Sequence, residues 1–364
     1  MIVKNITDVL EEWVPLSYAE DFDNVGLLVG DAGMKLTGVL VTLDTLENVV
    51  DEAIAKNCNL IVSFHPIIFG GLKKLTGSTY VERSVIKAIK NNIAIYSMHT
   101  ALDNAKDGVN AKICEILCIR NTKILIPQKA TIKKLTTYVP REESEKLKEA
   151  LFSAGAGNIG NYSNCSFSVV GTGSFMAGED ANPTKGIIGR THFEKEAQIN
   201  ITFPASNEGK VLKALFKNHP YEEVAYEIQT LDNTNQNIGM GMIGELERGM
   251  EETDFLEYLK DKMDLSCIRH SRLLGKKIRK VAVLGGSGAF AINAARASNA
   301  DVFITSDLKY HQFYLAEDQF VIADIGHYES EQFTKNLLVD FLTEKFPNFA
   351  LSLSESITNP IKYF

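Results

Sequence analysis

Short apolar runs alternate with amphipathic stretches at both ends of the chain. Near the N-terminus, runs at 38–44, 59–64 and 93–98 are separated by two helical patterns. Near the C-terminus, the runs KVAVLGG, DVFITSD and FVIADIGH are separated in the same way. Buried strands of this length that alternate with helices need crossover connections, which are typical of parallel sheets. The pattern therefore predicts two related α/β halves, each with a mostly parallel sheet.

The middle of the chain follows a different pattern. Between about 129 and 235, strand, helix and strand are followed by a second strand, helix and strand. This order is typical of a ferredoxin-like α+β domain. The flanking segments ILIPQKAT and DNTNQNIGMG have the Pro, Asn and Gly content of linkers. We predict three segments: an α/β half at 1–128, an inserted α+β domain at 129–235 and a second α/β half at 236–364.

Metal-capable side chains follow several of the predicted strands. His327 and Glu331 stand four residues apart in GHYESE, which places them on one helical face just past a strand. His65 follows the run LIVSF, and Asp103 follows IAIYSMHTAL. Taken singly, each has a structural alternative. His65 could be a hydrogen-bonded structural histidine, Asp103 a helix cap, and His327 with Glu331 an ordinary pair on a solvated helix face. Together they predict ligands gathered from strand ends, as in other open α/β sheets.

Nitrogen and carboxylate ligands suit zinc, iron, manganese, cobalt or nickel, and the sequence does not choose among them. A closed zinc-finger type of site is disfavoured because no thiolate is in the set. A bridging carboxylate such as Glu331 would allow one or two ions per subunit.

Further polar residues are candidates for catalysis. His311 and Lys309, with Asp307, lie in SDLKYHQF after a strand of the second half, where they are placed to line a substrate pocket. His311 is a candidate proton carrier, and Lys309 a partner for an anionic substrate group. His99 is equally compatible with a structural role and with ligation or proton transfer. GGSGAF at 285–290 is interpreted as a tight turn into a helix, with an anion contact as the minority alternative.

Composition narrows the class of protein. The 364 residues carry a formal net charge of −8, which disfavours general binding to nucleic acids or anionic membranes. No apolar stretch approaches the roughly 18 residues needed to span a bilayer. The five cysteines are scattered, and a reducing cytoplasm is the expected location.

The motifs SFHPIIF, HTALD, VAVLGGSG, TSDLKYH, GHYESE and DFDNVGLLVGD resemble those of the NIF3-like (NGG1p-interacting factor 3) dinuclear-metal proteins, often labelled GTP cyclohydrolase 1 type 2 homologs. The middle segment, with ANPTKG and HPYEEVAYEI, resembles the inserted PII/CutA-like domain of the longer bacterial members. The resemblance implies a toroidal homohexamer with a pair of metals per subunit, held by His65, Asp103, His327 and Glu331. It also implies a small, nucleotide-like substrate.

Phe64 departs from the family pattern. Many bacterial members have two histidines before the proline of SFHP, and Phe64 replaces the first of them. Because phenylalanine cannot ligate, one of the two metal sites loses a donor. Two hypotheses follow: a metal-dependent hydrolase in which His311 or His99 moves protons, and a non-catalytic hexamer that senses a metal or small ligand.

Overall fold

The computed structural model describes residues 1–364, which form two compact units. The first unit combines Met1–Pro127 with Gln236–Phe364, and the second is Gln128–Asn235. The two segments predicted as α/β halves therefore belong to one compact unit.

The N-terminal part of the first unit supplies most of one sheet. Its elements are α1 (Val3–Trp13), β1 (Gly26–Val29), β2 (Val39–Thr42), α2 (Glu47–Ala55), β3 (Leu60–Ser63), α3 (Tyr80–Lys90), β4 (Ala94–Ser97), α4 (His99–Asp103), α5 (Val109–Ile116) and β5 (Arg120–Pro127). Every residue of β2, β3 and β4 is buried, as expected for parallel strands covered on both faces.

The second unit follows in the chain. Its elements are β6 (Ile132–Pro140), α6 (Ser144–Ser153), β7 (Phe167–Met176), β8 (Thr191–Pro204), α7 (Glu208–Asn218) and β9 (Tyr226–Leu231). The strands form an antiparallel sheet in the order β7-β8-β6-β9, which is the ferredoxin-like arrangement. Both helices pack on one face of this sheet through apolar residues such as Leu151 and Leu215.

The C-terminal part of the first unit supplies the second α/β sheet. Its elements are β10 (Gly239–Glu251), α8 (Glu252–Lys262), β11 (Arg269–His270), β12 (Lys277–Ser287), α9 (Ile292–Ala297), β13 (Val302–Ser306), β14 (Val321–Asp324), α10 (His327–Glu331), α11 (Thr334–Lys345) and β15 (Leu351–Leu353). Short 3₁₀ helices occupy Leu16–Tyr18, Arg141–Glu143, Ala205–Asn207, Ala289–Ala291 and Tyr310–Ala316.

Each α/β sheet has three neighbouring parallel strands at its centre. The strand order is β1-β4-β3-β2-β15 in one sheet and β11-β14-β13-β12-β10-β5 in the other. The central parallel strands are β2, β3 and β4 in the first, and β12, β13 and β14 in the second. The predicted fold class is thus confirmed: two related α/β halves and an α+β domain between them in sequence.

The two halves exchange border strands, a feature that the sequence did not predict. β5, from the N-terminal part, pairs with β10, and β15, from the C-terminal part, pairs with β2. Because β5 and β10 are antiparallel and Pro127 pairs with Gly239, the second unit is inserted at the tip of a hairpin.

A shared core holds the halves together. Alternate residues of both sheets, including Val62 and Val283, bury their side chains in one apolar cluster with α1, α5, α8 and α11. The opposite faces pack on α2 and α3 in one half and on α9 in the other. Each fully buried aliphatic side chain contributes about 1.5–3 kcal/mol. The sheets therefore form a rigid base for residues that follow their strands.

None of the helices is both long and apolar enough to cross a lipid bilayer.

Candidate metal centre

Three side chains from distant parts of the chain converge in the first unit. His65 lies just past β3, while His327 and Glu331 are the first and last residues of α10, which follows β14. Their potential ligand atoms all lie within 4.8 Å of one another. The Oε2 atom of Glu331 is 3.0 Å from Nε2 of His65 and 3.2 Å from Nε2 of His327. The predicted convergence of strand ends therefore occurs for these three residues.

A carboxylate holds the other nitrogen of each imidazole. Nδ1 of His65 lies 2.7 Å from Oδ1 of Asp44, and Nδ1 of His327 lies 2.6 Å from Oδ2 of Asp307. A carboxylate at Nδ1 fixes the ring orientation and leaves Nε2 as the ligating atom. Both Nε2 atoms point to the same carboxylate oxygen, so the rings are oriented before any ion binds.

The Glu331 carboxylate is 4% exposed, and its Oε2 atom has no hydrogen-bond partner of acceptable geometry. The two nearby imidazole nitrogens are within contact distance but are not aligned for hydrogen bonds to it. Nε2 lone pairs that lie near one carboxylate oxygen with no hydrogen bond between them are the arrangement expected when all three atoms face a common ion. The orphaned atom therefore supports a bound cation.

Gly286 makes room for Glu331. Its backbone has φ +69, and a Cβ atom built on it would lie 2.3 Å from Oε1 of Glu331. Its N–H donates to Oγ of Ser330 at 2.9 Å. The GGSG segment leads from β12 through a short 3₁₀ helix into α9, as the tight-turn interpretation predicts, and it also lets the backbone approach the cluster closely.

Asp103 faces the same cavity at the end of α4. Its Oδ1 atom is buried and has no hydrogen-bond partner. Burial raises the pKa of Asp103 well above its ordinary value, and the negative charge of Glu331 raises it further. An unsatisfied buried oxygen beside two imidazoles fits the nitrogen and oxygen donor set of a divalent transition metal. The role of Asp103 as a ligand stays a prediction.

The charges of the cluster shift its proton equilibria. Burial lowers the pKa of His65, but Asp44 and Glu331 outweigh it and raise that pKa to about 10. Burial also lowers the pKa of His327, but Glu331 and Asp307 outweigh this effect and raise that pKa to about 9. Burial would raise the pKa of Glu331, yet the two imidazoles bring it below the ordinary value. An incoming metal must therefore compete with protons.

The cluster opens into a cavity of about 480 Å³. His99 lines it, and Nδ1 of His99 lies 2.8 Å from Oδ1 of Asp23. Burial raises the pKa of Asp23, but hydrogen bonds from His99 and Thr100 bring it down to about 2. Three exposed phenylalanines also line the cavity: Phe22, Phe69 and Phe290.

Lys309 and His311 lie elsewhere. Both are exposed and neither lines the cavity. His311 instead contacts Tyr310, with ring centroids 5.1 Å apart. The catalytic roles predicted for Lys309 and His311 stay predictions. Asp307, expected in a substrate pocket, contacts His327 because strand β13 ends beside α10.

Sequence reasoning missed Asp44 and Asp23. Asp44 ends the apolar run GVLVTLD, so it follows a predicted strand as His65 does. Its position after a strand was therefore a signal in the sequence that could have marked it. Asp23 lies in DFDNVGLLVGD, where only the resemblance marked the segment.

Comparisons of the sequence with known proteins identify its family. The family model of Duf34/NIF3 (NGG1p interacting factor 3) matches residues 1–360. A Bacillus subtilis (strain 168) protein named GTP cyclohydrolase 1 type 2 homolog is 37% identical over 368 residues, covering 99% of this chain and 98% of the relative. A Halalkalibacterium halodurans protein of the same name is 36% identical over 365 residues, covering 99% and 98%.

Solved structures are similar to this chain over its whole length. A Bacillus cereus protein related to NIF3 is 37% identical, with a TM-score of 0.86 and coverage of 100% of this chain and 99% of that one. A Staphylococcus aureus protein is 29% identical, with a TM-score of 0.79 and the same coverage. The match extends over both α/β halves and the domain between them, and the chain belongs to the Duf34/NIF3 family.

Proposed function

We propose that this protein is a divalent-metal-dependent hydrolase that acts on a nucleotide-like substrate. The observation that carries the proposal is the convergence of His65, His327 and Glu331 within 4.8 Å, with both imidazoles oriented by carboxylates. Asp103 completes the proposed ligand set from the cavity wall.

A divalent ion held by these residues would supply Lewis acidity and make hydrolytic water more acidic. The chain itself provides the orientation of the imidazoles and the burial of the Glu331 and Asp103 carboxylates. Phe64 is fully buried, and its ring lies 4.9 Å from that of His65 and 5.6 Å from that of His99. It packs rather than ligates, so we infer one well-held ion per subunit and a second, weaker position.

The cavity wall favours a planar substrate. Phe22, Phe69 and Phe290 are 67%, 52% and 60% exposed, and exposed rings around a cavity offer stacking surfaces for a heterocycle. No lysine or arginine lines the cavity, so a bound divalent ion would be its main cationic group. The relatives' name, GTP cyclohydrolase 1 type 2 homolog, makes the guanine ring the first candidate.

His99 is the proposed proton carrier. Its Nδ1 is engaged by Asp23, which leaves Nε2 as the nitrogen available to a substrate. Its ring centroid lies 5.4 Å from that of His65. A histidine whose ring is fixed by a carboxylate is suited to moving a proton at a defined atom.

Glu331→Gln tests the proposal. The variant keeps the shape of the side chain but removes the charge shared by the two histidines. Metal-loaded wild-type protein should turn over GTP or a related nucleotide, lose the activity on chelation and recover it on metal return. Glu331→Gln should bind metal weakly and lack turnover, whereas Glu344→Gln, an exposed α11 residue, should match the wild type. Chelation-insensitive turnover would refute the assignment.

A non-catalytic sensor is the second candidate function. The buried Phe64 favours it, because a side chain without a donor weakens a two-metal catalyst more than a binding site. Metal-linked nucleotide binding without product formation in the same assay would select the sensor.

We also propose a homohexamer, as the family resemblance implies, and a location in the reducing cytoplasm, as the scattered cysteines indicate. Large apolar side chains on β7 and β8 are exposed and offer surface for contacts between copies; Phe167 and Phe193 are each 68% exposed. Sedimentation equilibrium would measure the mass directly, and a monomer at micromolar concentration would contradict the hexamer.

A further inference from the structure

A second cavity, of about 340 Å³, lies wholly within the second unit. Two motifs that the metal centre does not use form much of its wall. ANPTKG contributes Ala181, Pro183, Thr184 and Lys185, and HPYEEVAYEI contributes Tyr221, Glu222, Glu223 and Ala225. A cavity of this size can enclose a small organic molecule.

The two motifs are fastened to each other. The N–H of Asn182 donates to Oε2 of Glu222 at 2.8 Å, and Oγ1 of Thr184 donates to the carbonyl of Pro220 at 2.8 Å. These contacts close the loop against the segment that follows α7. Because the wall is already ordered, a ligand would lose little free energy in arranging it.

Aromatic rings supply the apolar part of the wall. Phe175 and Tyr221 meet edge to face, with ring centroids 6.0 Å apart, and Tyr138 lines the same space. Half-buried rings that face a cavity bind flat apolar groups and also attract cations to their faces.

The polar part of the wall is acidic. Oε1 of Glu196 accepts a hydrogen bond from the Tyr221 hydroxyl at 2.7 Å, and no lysine or arginine pairs with this carboxylate. Lys185, the cation of the wall, is paired with Glu194 at 3.2 Å instead. Glu222 and Glu223 add further negative charge. The cavity therefore has an excess of carboxylates beside aromatic rings.

Gly173 keeps space for the Glu196 carboxylate. A Cβ atom at this position would lie 2.0 Å from Oε2 of Glu196, so any larger residue would displace the carboxylate. The close approach of strand β7 is therefore compatible with the position of the Glu196 carboxylate only while residue 173 lacks a side chain.

We propose that this cavity is a binding site for a small organic cation, an amine or amidine that carries a flat aromatic ring. The cation would pair with Glu196, and the ring would pack against Phe175, Tyr138 and Tyr221. The site is separate from the metal centre in both residues and chemistry, and it does not depend on the proposed hydrolase activity.

Saturation-transfer NMR and calorimetry on the full-length protein test the site, with tryptamine and phenethylamine as probes. Their carboxylate counterparts, indole-3-acetate and phenylacetate, have the same rings with the opposite charge. We expect the amines to bind at least about tenfold more tightly than the carboxylates, since a tenfold ratio is the effect of one modest charge interaction.

Two variants locate the binding. Glu196→Gln removes the charge, and Gly173→Ala fills the space beside it; each should weaken amine binding at least about tenfold. Glu227→Gln, an exposed carboxylate on β9, and Glu331→Gln should leave amine binding unchanged. Equal affinity for amines and carboxylates, wild-type amine affinity in Glu196→Gln, or no amine binding up to about 10 mM would each overturn the proposal.

Discussion

Removing the carboxylate of Asp44 should weaken metal binding, although Asp44 itself is not a proposed ligand. Its Oδ1 atom holds Nδ1 of His65 at 2.7 Å, and its Oδ2 atom accepts from Oγ1 of Thr358 at 2.6 Å. Without this contact the imidazole is free to rotate, and its Nε2 becomes less basic. Loss of such an outer partner typically costs 10–100-fold in affinity, or about 1.4–2.8 kcal/mol.

Two substitutions separate orientation from charge. Asp44→Asn can still accept from Nδ1 but lacks the negative charge, so its loss should be near tenfold. Asp44→Ala lacks the acceptor as well, and its loss should approach 100-fold. Thr358→Ala removes only the second hydrogen bond of Asp44 and is the matched control, for which affinity should stay near that of the wild type.

Competition with a chromophoric chelator would measure the affinities for Zn²⁺ and Mn²⁺, after circular dichroism has shown that each variant is folded. The expected order of affinity is wild type, then Asp44→Asn, then Asp44→Ala. If folded Asp44→Ala bound both metals as tightly as the wild type, His65 would not be a ligand oriented in this way.

Two further predictions concern the backbone and the pH dependence of stability. Gly286→Ala should abolish metal uptake, measured by elemental analysis, because its Cβ would displace Glu331. Gly275→Ala is the control: with φ +70 and no neighbouring atom, it should cost about 1–2 kcal/mol of stability and keep the metal. Equal metal uptake by the two variants would contradict the close approach of Gly286 to Glu331. Burial raises the pKa of Glu52, but Lys56 and the backbone and hydroxyls of 354–356 bring it down to about 2. Its contribution, about 1–2 kcal/mol, should be present above about pH 5 and disappear as pH falls toward 2. Glu52→Gln should lack this dependence in urea unfolding, and parallel curves for variant and wild type would be the contrary result.

The fold was largely predictable because its signals are local. Runs such as LIVS in the first half and VFITS in the second are buried on both faces, so their apolar character shows in the sequence. The exchange of β5 and β15 was not predictable, because the choice of a border partner depends on contacts between residues far apart in the chain.

The candidate site was predictable only where a metal-capable side chain comes soon after a strand. His65, His327 and Glu331 meet because strand β3 of one sheet and strand β14 of the other lead to the same cavity. Lys309 also follows a strand, yet its side chain is exposed outside the cavity, since position along the chain does not determine the direction of a side chain. The contacts of Asp44 with His65 and of Asp307 with His327 were not predicted, because the partners lie at least 20 residues apart in the chain.

The hairpin formed by β5 and β10 has an implication for the modularity of the molecule. Since Pro127 and Gly239 already face each other across a ladder, a tight turn could join them without changing any strand's partner. A whole domain can thus be gained, lost or replaced at this point while the α/β unit keeps its strand connectivity. Protein engineers could exchange the inserted domain for another one at the same position.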